Sequence, residues 1–224
     1  ASGGGADYLP WTPGVGAHTL TATPYARRGA TSAAGTPLTV RFRVQDSAAN
    51  VRHLEYVAVD KALKVYDIDD GYRLVRTISL PNVYGIRGIA ASAVTDRLYI
   101  PYWGDRDDPK YNGQPTFGYV TALDLRTGAV LWTRKYSPSI DSISLTPDGK
   151  KLYMGAGEDA GGDFWFVLDA DGNELARIPV YKNAHNSIVG ASGQKVYMGS
   201  ISSNYLYVAD TATDQVTLKV GPFF

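Results

Sequence analysis

From about residue 54 onward the chain restates one pattern: a short strand holding a tyrosine, a turn, then a strand that ends in aspartate. The first kind of strand reads Leu98-Tyr99-Ile100, Leu152-Tyr153-Met154 and Val196-Tyr197-Met198. The second reads Val65-Tyr66-Asp67, Ala122-Leu123-Asp124, Val167-Leu168-Asp169 and Val208-Ala209-Asp210. The aspartates at 67, 124, 169 and 210 lie 57, 45 and 41 residues apart. A period of about 40–50 residues belongs to four-stranded sheets stacked as blades around an axis, each too small to bury its own apolar faces alone. The repeat therefore predicts an all-β chain built of β-propeller blades, with any site at the loops around the axis.

The segment 54–224 parses into about four blades. The first has strands near 54–60, 62–68 and 73–80; the second runs from about Ile86 to Tyr136, the third from Ile140 to Val180 and the fourth from His185 to Val220. Asp69-Asp70-Gly71, Arg126-Thr127-Gly128, Pro147-Asp148-Gly149 and Asp171-Gly172-Asn173 supply the hairpin turns. No helical periodicity competes. Upstream, residues 1–46 hold a flexible leader and two alternating runs, His18 to Tyr25 and Leu38 to Val44, joined by a small-residue turn from Ala30 to Pro37. Arg41 and Arg43 alternate with Val40, Phe42 and Val44, as a half-buried antiparallel strand requires. Two strands are marginal alone, so this segment must lean on something else. Residues 47–53 are polar and read as a linker.

Composition narrows the partners. The 22 basic and 22 acidic residues cancel, so nothing would gather a phosphate backbone or an anionic bilayer, and nucleic acid is excluded as a partner. No apolar run approaches the length of a transmembrane helix. Residues 1–10 lack the basic and apolar regions of a signal peptide, which fits one already removed. The absence of cysteine rules out disulfides, thiol catalysis and cysteine-ligated metal, but leaves the compartment open.

Two stretches carry a family resemblance. Leu145-Thr146-Pro147-Asp148-Gly149-Lys150-Lys151-Leu152-Tyr153, followed by a strand ending in aspartate and a turn, resembles the YVTN-type, YncE-like β-propellers of bacteria and archaea. Gly85 to Ser92 and His185 to Val189 look like a secreted subgroup that carries an immunoglobulin-like leader. Trp11 to Tyr25 and Ala34 to Val40 resemble the last strands of the immunoglobulin-like modules of secreted bacterial proteins. The resemblance implies a partial Ig-like β-sandwich segment over 1–46, whose first strands lie outside this chain, and blades belonging to a ring of about seven. Four blades alone would leave sheet edges and half a core open. A longer parent protein is the first expectation and self-association through the open blade edges the second.

Aligning Ile89, Ile143 and Ile188 puts Arg87, Asp141 and Asn186 at equivalent places, with His185 one residue earlier. All four should crowd the mouth of the channel, where a cation, an anion and an imidazole could bind a polar ligand or exchange protons. The competing structural reading is an Arg–Asp pair that ties neighbouring blades. The long insertion from Tyr102 and Trp103 to Gly113 interleaves aromatics with carboxylates, suited to stacking on a sugar or an aromatic ligand, or else forms a solvated flap. Glu158, Asp159 and Asp163 surround two glycines and are a candidate calcium site, against an ordinary acidic turn. Asp169-Ala170-Asp171-Gly172-Asn173 mimics the opening of an EF-hand loop but lacks its later glycine and glutamate, so it reads as a hairpin turn. No nucleophile elbow, P-loop or Rossmann fingerprint occurs.

The favoured expectation is a secreted or cell-surface propeller that binds a protein, small-molecule or carbohydrate partner through its loop face. It would have no assigned reaction and no cofactor beyond a candidate calcium. The alternatives are a propeller enzyme (lactonase, lyase or metal-dependent oxidoreductase) using His185, and an extracellular assembly subunit.

Overall fold

The computed structural model describes residues 12–44, 52–104, 117–157 and 162–223. They fall into two compact units, Ala1–His53 and Leu54–Phe224. In the first, β1 (Gly16–Ala22) and β2 (Leu38–Val44) form an antiparallel ribbon in which His18 faces Phe42 and Leu20 faces Val40. The His18 and Phe42 rings stack at 5.5 Å. Leu20, Leu38 and Val40 are exposed; two strands by themselves bury little apolar surface.

The second unit is four consecutive antiparallel sheets. The first holds β3 (Leu54–Val59), β4 (Ala62–Asp67) and β5 (Arg73–Ser79). The second opens with two short inner pieces, β6 (Tyr84–Ile86) and β7 (Ala90–Ser92). Both pair with β8 (Arg97–Trp103), which is followed by β9 (Gly118–Asp124) and β10 (Val130–Tyr136). The third is β11 (Ile143–Leu145), β12 (Lys151–Gly155), β13 (Phe164–Asp169) and β14 (Glu174–Pro179), in that order across the sheet. The fourth repeats it with β15 (Ala184–Val189), β16 (Lys195–Ser200), β17 (Leu206–Asp210) and β18 (Gln215–Val220).

Register explains the repeat. Tyr56, Tyr99, Tyr153 and Tyr197 each sit opposite the residue two before a repeat aspartate: Val65, Ala122, Val167 and Val208. The first sheet therefore lacks, among the described residues, only the innermost strand of the pattern. Each aspartate ends its strand and caps the turn that follows. Asp124 accepts the amides of Arg126 and Thr127 and the Thr127 hydroxyl. Asp169 takes the amides of Asp171 and Asn173, Asp210 those of Ala212 and Thr213, and Asp67 that of Asp69. These are Asx turns, the reason aspartate recurs there.

Three apolar clusters lie between successive sheets. Leu63, Leu98, Ile100 and Leu123 join the first to the second; Tyr99, Val120, Met154 and Phe166 join the second to the third; Tyr153, Trp165, Val196 and Met198 join the third to the fourth. Both faces of the third sheet are thus covered, and its Leu152, Tyr153, Met154 and Trp165 have no exposed surface. Burying each such side chain is worth about 1.5–3 kcal/mol. This is layered packing: no sheet has a core of its own.

A polar clasp accompanies every junction. The carbonyl directly after the turn aspartate accepts a cation from the preceding sheet: Arg76 Nη2 bonds Leu125 O at 3.0 Å, Arg97 Nη1 bonds Ala170 O at 2.5 Å, and Lys151 Nζ bonds Thr211 O at 2.8 Å. The repeated tyrosines join in. Tyr99 donates to Ala170 O at 3.3 Å and Tyr153 to Asp214 Oδ1 at 2.7 Å. Burial, then the Asp214 carboxylate, pushes the Tyr153 phenol well above its ordinary range, so it stays a donor.

Candidate functional site at the inner strand ends

Arg87 follows β6, and its amide donates to Pro101 O at 2.9 Å, which ties it to β8. Its guanidinium lies 4.3 Å over the Trp103 ring, a cation–π contact strengthened by burial. Gly85 has φ +54°, and a Cβ there would stand 2.9 Å from the Trp103 indole, so glycine is what lets the backbone pass this ring.

Asp141 enters from the third sheet, held by its amide's bond to Gly155 O at 2.9 Å. Arg87 Nε and Nη2 reach Asp141 Oδ1 at 3.2 and 3.0 Å, and Nη2 reaches Oδ2 at 3.1 Å. Asp141 Oδ1 also accepts the Ser142 amide at 2.8 Å. The carboxylate is 2% exposed and the arginine 20%. A buried carboxylate in this setting must be matched in charge and hydrogen bonds, and here it is.

His185 comes from β15, with Nε2 4.0 Å from Asp141 Oδ2. Three sheets thus contribute one residue each to a cation–anion–imidazole group. Serines extend it along the inner strands. Ser142 Oγ donates to His185 O at 3.1 Å, Ser144 Oγ to Ser187 Oγ at 3.0 Å, and Ser187 Oγ to Tyr153 O at 2.8 Å.

The structure brings Arg87, Asp141 and His185 together and shifts the alignment that suggested them. Ala90, Ser144 and Ile188 face the repeat tyrosines Tyr99, Tyr153 and Tyr197. The counterpart of Ile89 and Ile143 is therefore Ser187, not Ile188, and that of Arg87 and Asp141 is His185, not Asn186. An irregularity between Ala184 and Asn186 absorbs the difference. Because strand faces alternate, the one-residue slip puts Ile188 on the opposite side, 67% exposed. Asn186 is exposed beside His185.

Tyr102 and Trp103 are interior residues, 5% and 7% exposed. Tyr102 stacks on Tyr119 at 5.5 Å and accepts a bond from Thr121 Oγ1 at 3.3 Å. Burial raises its pKa, and the Thr121 contact opposes this only in part. The insertion beyond Gly104, and Glu158 and Asp159 of the calcium candidate, lie outside the described residues; Asp163 is an exposed residue whose carbonyl accepts the Val180 amide at 2.9 Å. Among the described residues no group of three His, Asp or Glu side chains is placed to hold a metal. Among the described residues no helix is long and apolar enough to cross a membrane.

Sequence reasoning missed the clasps. For two of them the signal is a basic residue two places before a repeat tyrosine, Arg97 before Tyr99 and Lys151 before Tyr153; Arg76 lies on β5 and has no such marker.

No family model matches the sequence, and no curated protein matches it. Many solved structures are similar in fold, among them two of propeller-containing proteins. One is hydrazine synthase from Kuenenia stuttgartiensis, 22% identical with a TM-score of 0.50, covering 62% of this chain and 36% of that one. The other is a chain of the mitotic checkpoint complex, 12% identical with a TM-score of 0.56, covering 74% of this chain and 45% of that one. The present chain thus spans less than half the length of either. At these identities the likeness shows the fold alone: antiparallel sheets of the β-propeller type.

Proposed function

We propose that this chain is the recognition part of a secreted or cell-surface propeller of the YVTN type, binding a protein or a small polar ligand such as a carbohydrate at the inner strand ends, where Arg87 and His185 meet at Asp141 and Asn186 is the exposed next residue. Residues 1–46 then serve as the end of an immunoglobulin-like spacer. The observation that carries the reading is the saturation of the charges. Asp141 spends both oxygens on Arg87 and Ser142, and Arg87 is also covered by Trp103. What remains partly accessible there is the His185 imidazole, 27% exposed, followed in the chain by the exposed Asn186 amide, groups suited to hydrogen-bonding a polar partner.

The test is a binding screen of the purified chain against oligosaccharides by calorimetry, with elemental analysis of the same sample. His185→Ala and Asn186→Ala should each weaken any binding about tenfold, as expected for loss of a directional contact, with unfolding midpoints unchanged. Stoichiometric copper, zinc or iron that His185→Ala removes would overturn the reading in favour of an enzyme.

A further inference from the structure

We propose that the cleft between the turns of the third and fourth sheets is a second binding site, built to take a small organic carboxylate. It lies beyond the far ends of β11 and β15, opposite the ends that carry Asp141 and His185, and it does not depend on the ligand face. Both walls come from adjacent sheets of this chain. The third sheet supplies Thr146, Pro147, Lys150 and Lys151 and the fourth Ser192 and Thr211, around a volume of about 370 Å³, within the size range of small-molecule pockets. Gly193, at φ +74°, lets the two turns meet at the Pro147 ring, whose Cδ would stand 3.0 Å from a Cβ there.

The clasp at this junction is built differently from its counterpart between the second and third sheets. There Arg97 bonds both Ala170 O and Asp171 Oδ1. In the fourth sheet Ala212 takes the place of Asp171, two residues after the repeat aspartate. The carboxylate comes instead from Asp214, which accepts Lys151 Nζ at 2.8 Å and the Tyr153 hydroxyl at 2.7 Å. Asp214 has φ +56° at the place where the second sheet has Gly128, both amides donating to the carbonyl of the repeat aspartate at 2.8 Å. An aspartate in a backbone region that favours glycine costs free energy, and here it holds the Lys151 ammonium at the cleft wall.

The walls have donors to spare. An ammonium carries three N–H groups, and Lys151 spends two, on Thr211 O and Asp214. Lys150 Nζ lies 3.9 Å from Asp148 Oδ2, too far for a hydrogen bond. Ser192 Oγ accepts the Gln194 amide at 3.3 Å and keeps its own proton to give. The acceptors are largely taken: Asp148 Oδ1 by the Thr146 hydroxyl at 2.6 Å and the Lys150 amide at 3.1 Å, and Asp214 by Lys151 and Tyr153. A ligand rich in acceptors answers this inventory. A carboxylate brings two charged oxygens to the ammonium groups, and the Pro147 ring offers an apolar wall to the body of the acid.

Heteronuclear NMR on the isotope-labelled whole chain, titrated with benzoate and separately with benzamide, tests this. Benzoate should shift the Lys151, Ser192, Gly193 and Thr211 amides saturably. Benzamide, which keeps the ring and loses the charge, should bind at least tenfold more weakly. Lys150→Glu reverses the charge of an exposed side chain and should weaken benzoate at least tenfold with the thermal midpoint unchanged, while Lys150→Arg should retain it. The proposal is overturned by the absence of saturable shifts, by equal binding of benzamide, or by benzoate binding that Lys150→Glu leaves intact. A benzoate response that His185→Ala removes and Lys150→Glu spares places the acid at the inner strand ends and overturns it as well.

Discussion

At the scale of single residues, the repeat aspartates and Asp141 do different work from the same side chain. The Asp169 carboxyl is pushed up by burial, but the Asn173 side chain and amide and the Asp171 amide outweigh that and hold it below the ordinary carboxylate range. Thr127 lowers Asp124, and Lys195 with the Ala212 amide lowers Asp210. A group whose folded value lies below its unfolded one stabilises fully above the ordinary carboxylate range. That contribution drains away as pH falls through the range towards the folded values. Asp169→Ala should therefore lower stability by about 1–2 kcal/mol at neutral pH, read from urea midpoints. Asp169→Asn keeps an oxygen acceptor and should cost less while shallowing the acid limb of the stability curve. Asp141 is the riskier position because it is buried. Arg87→Met should cost about 3–5 kcal/mol by leaving its charge unmatched. The double change Arg87→Met with Asp141→Leu should recover much of that loss; a loss in the pair equal to the sum of the singles would show that the two do not act together.

At the scale of elements, close approach between sheets depends on residues without side chains. A Cβ on Gly155 would stand 2.7 Å from His185 O and 2.9 Å from Ala184 O. Backbone carbonyls cannot swing aside as a side-chain tip can, so Gly155→Ala must push β12 from β15 and open the site between Asp141 and His185. We expect a loss of about 1–3 kcal/mol, with weakened ligand binding in proportion, measured by thermal unfolding and calorimetry on one preparation. This is also the scale at which the sequence was most and least legible. The tyrosine–aspartate alternation announced β8, β9, β12, β13, β16 and β17 because turn chemistry and burial both act within one hairpin. Arg87 and Asp141 could be paired by position because the inner strands of the second and third sheets keep one register. The fourth departs by a residue at Ala184 to Asn186, and an isoleucine on an open face looks the same in sequence as one in a core. The clasps were hidden for a related reason. Arg97 and Ala170 belong to different sheets, and only the stacking of one sheet on the next makes them neighbours.

At the scale of the whole propeller unit, stability should be graded along the stack rather than shared evenly, since each sheet is held by its neighbours. The third sheet has both faces covered, and Trp165, Phe166, Val167 and Leu168 on β13 are no more than 1% exposed. Every residue of β18 is exposed, and β5 has no fully buried residue, four of its seven positions being exposed. Amide exchange reports this gradient, because an opening that frees an outer strand need not disturb an inner one. In dilute solution the amides of β12 and β13 should exchange last and those of β18 first, with β16 and β17 between them. Equal protection of β18 and β13 would contradict the layered account, since it would require the four sheets to open only as a single cooperative body.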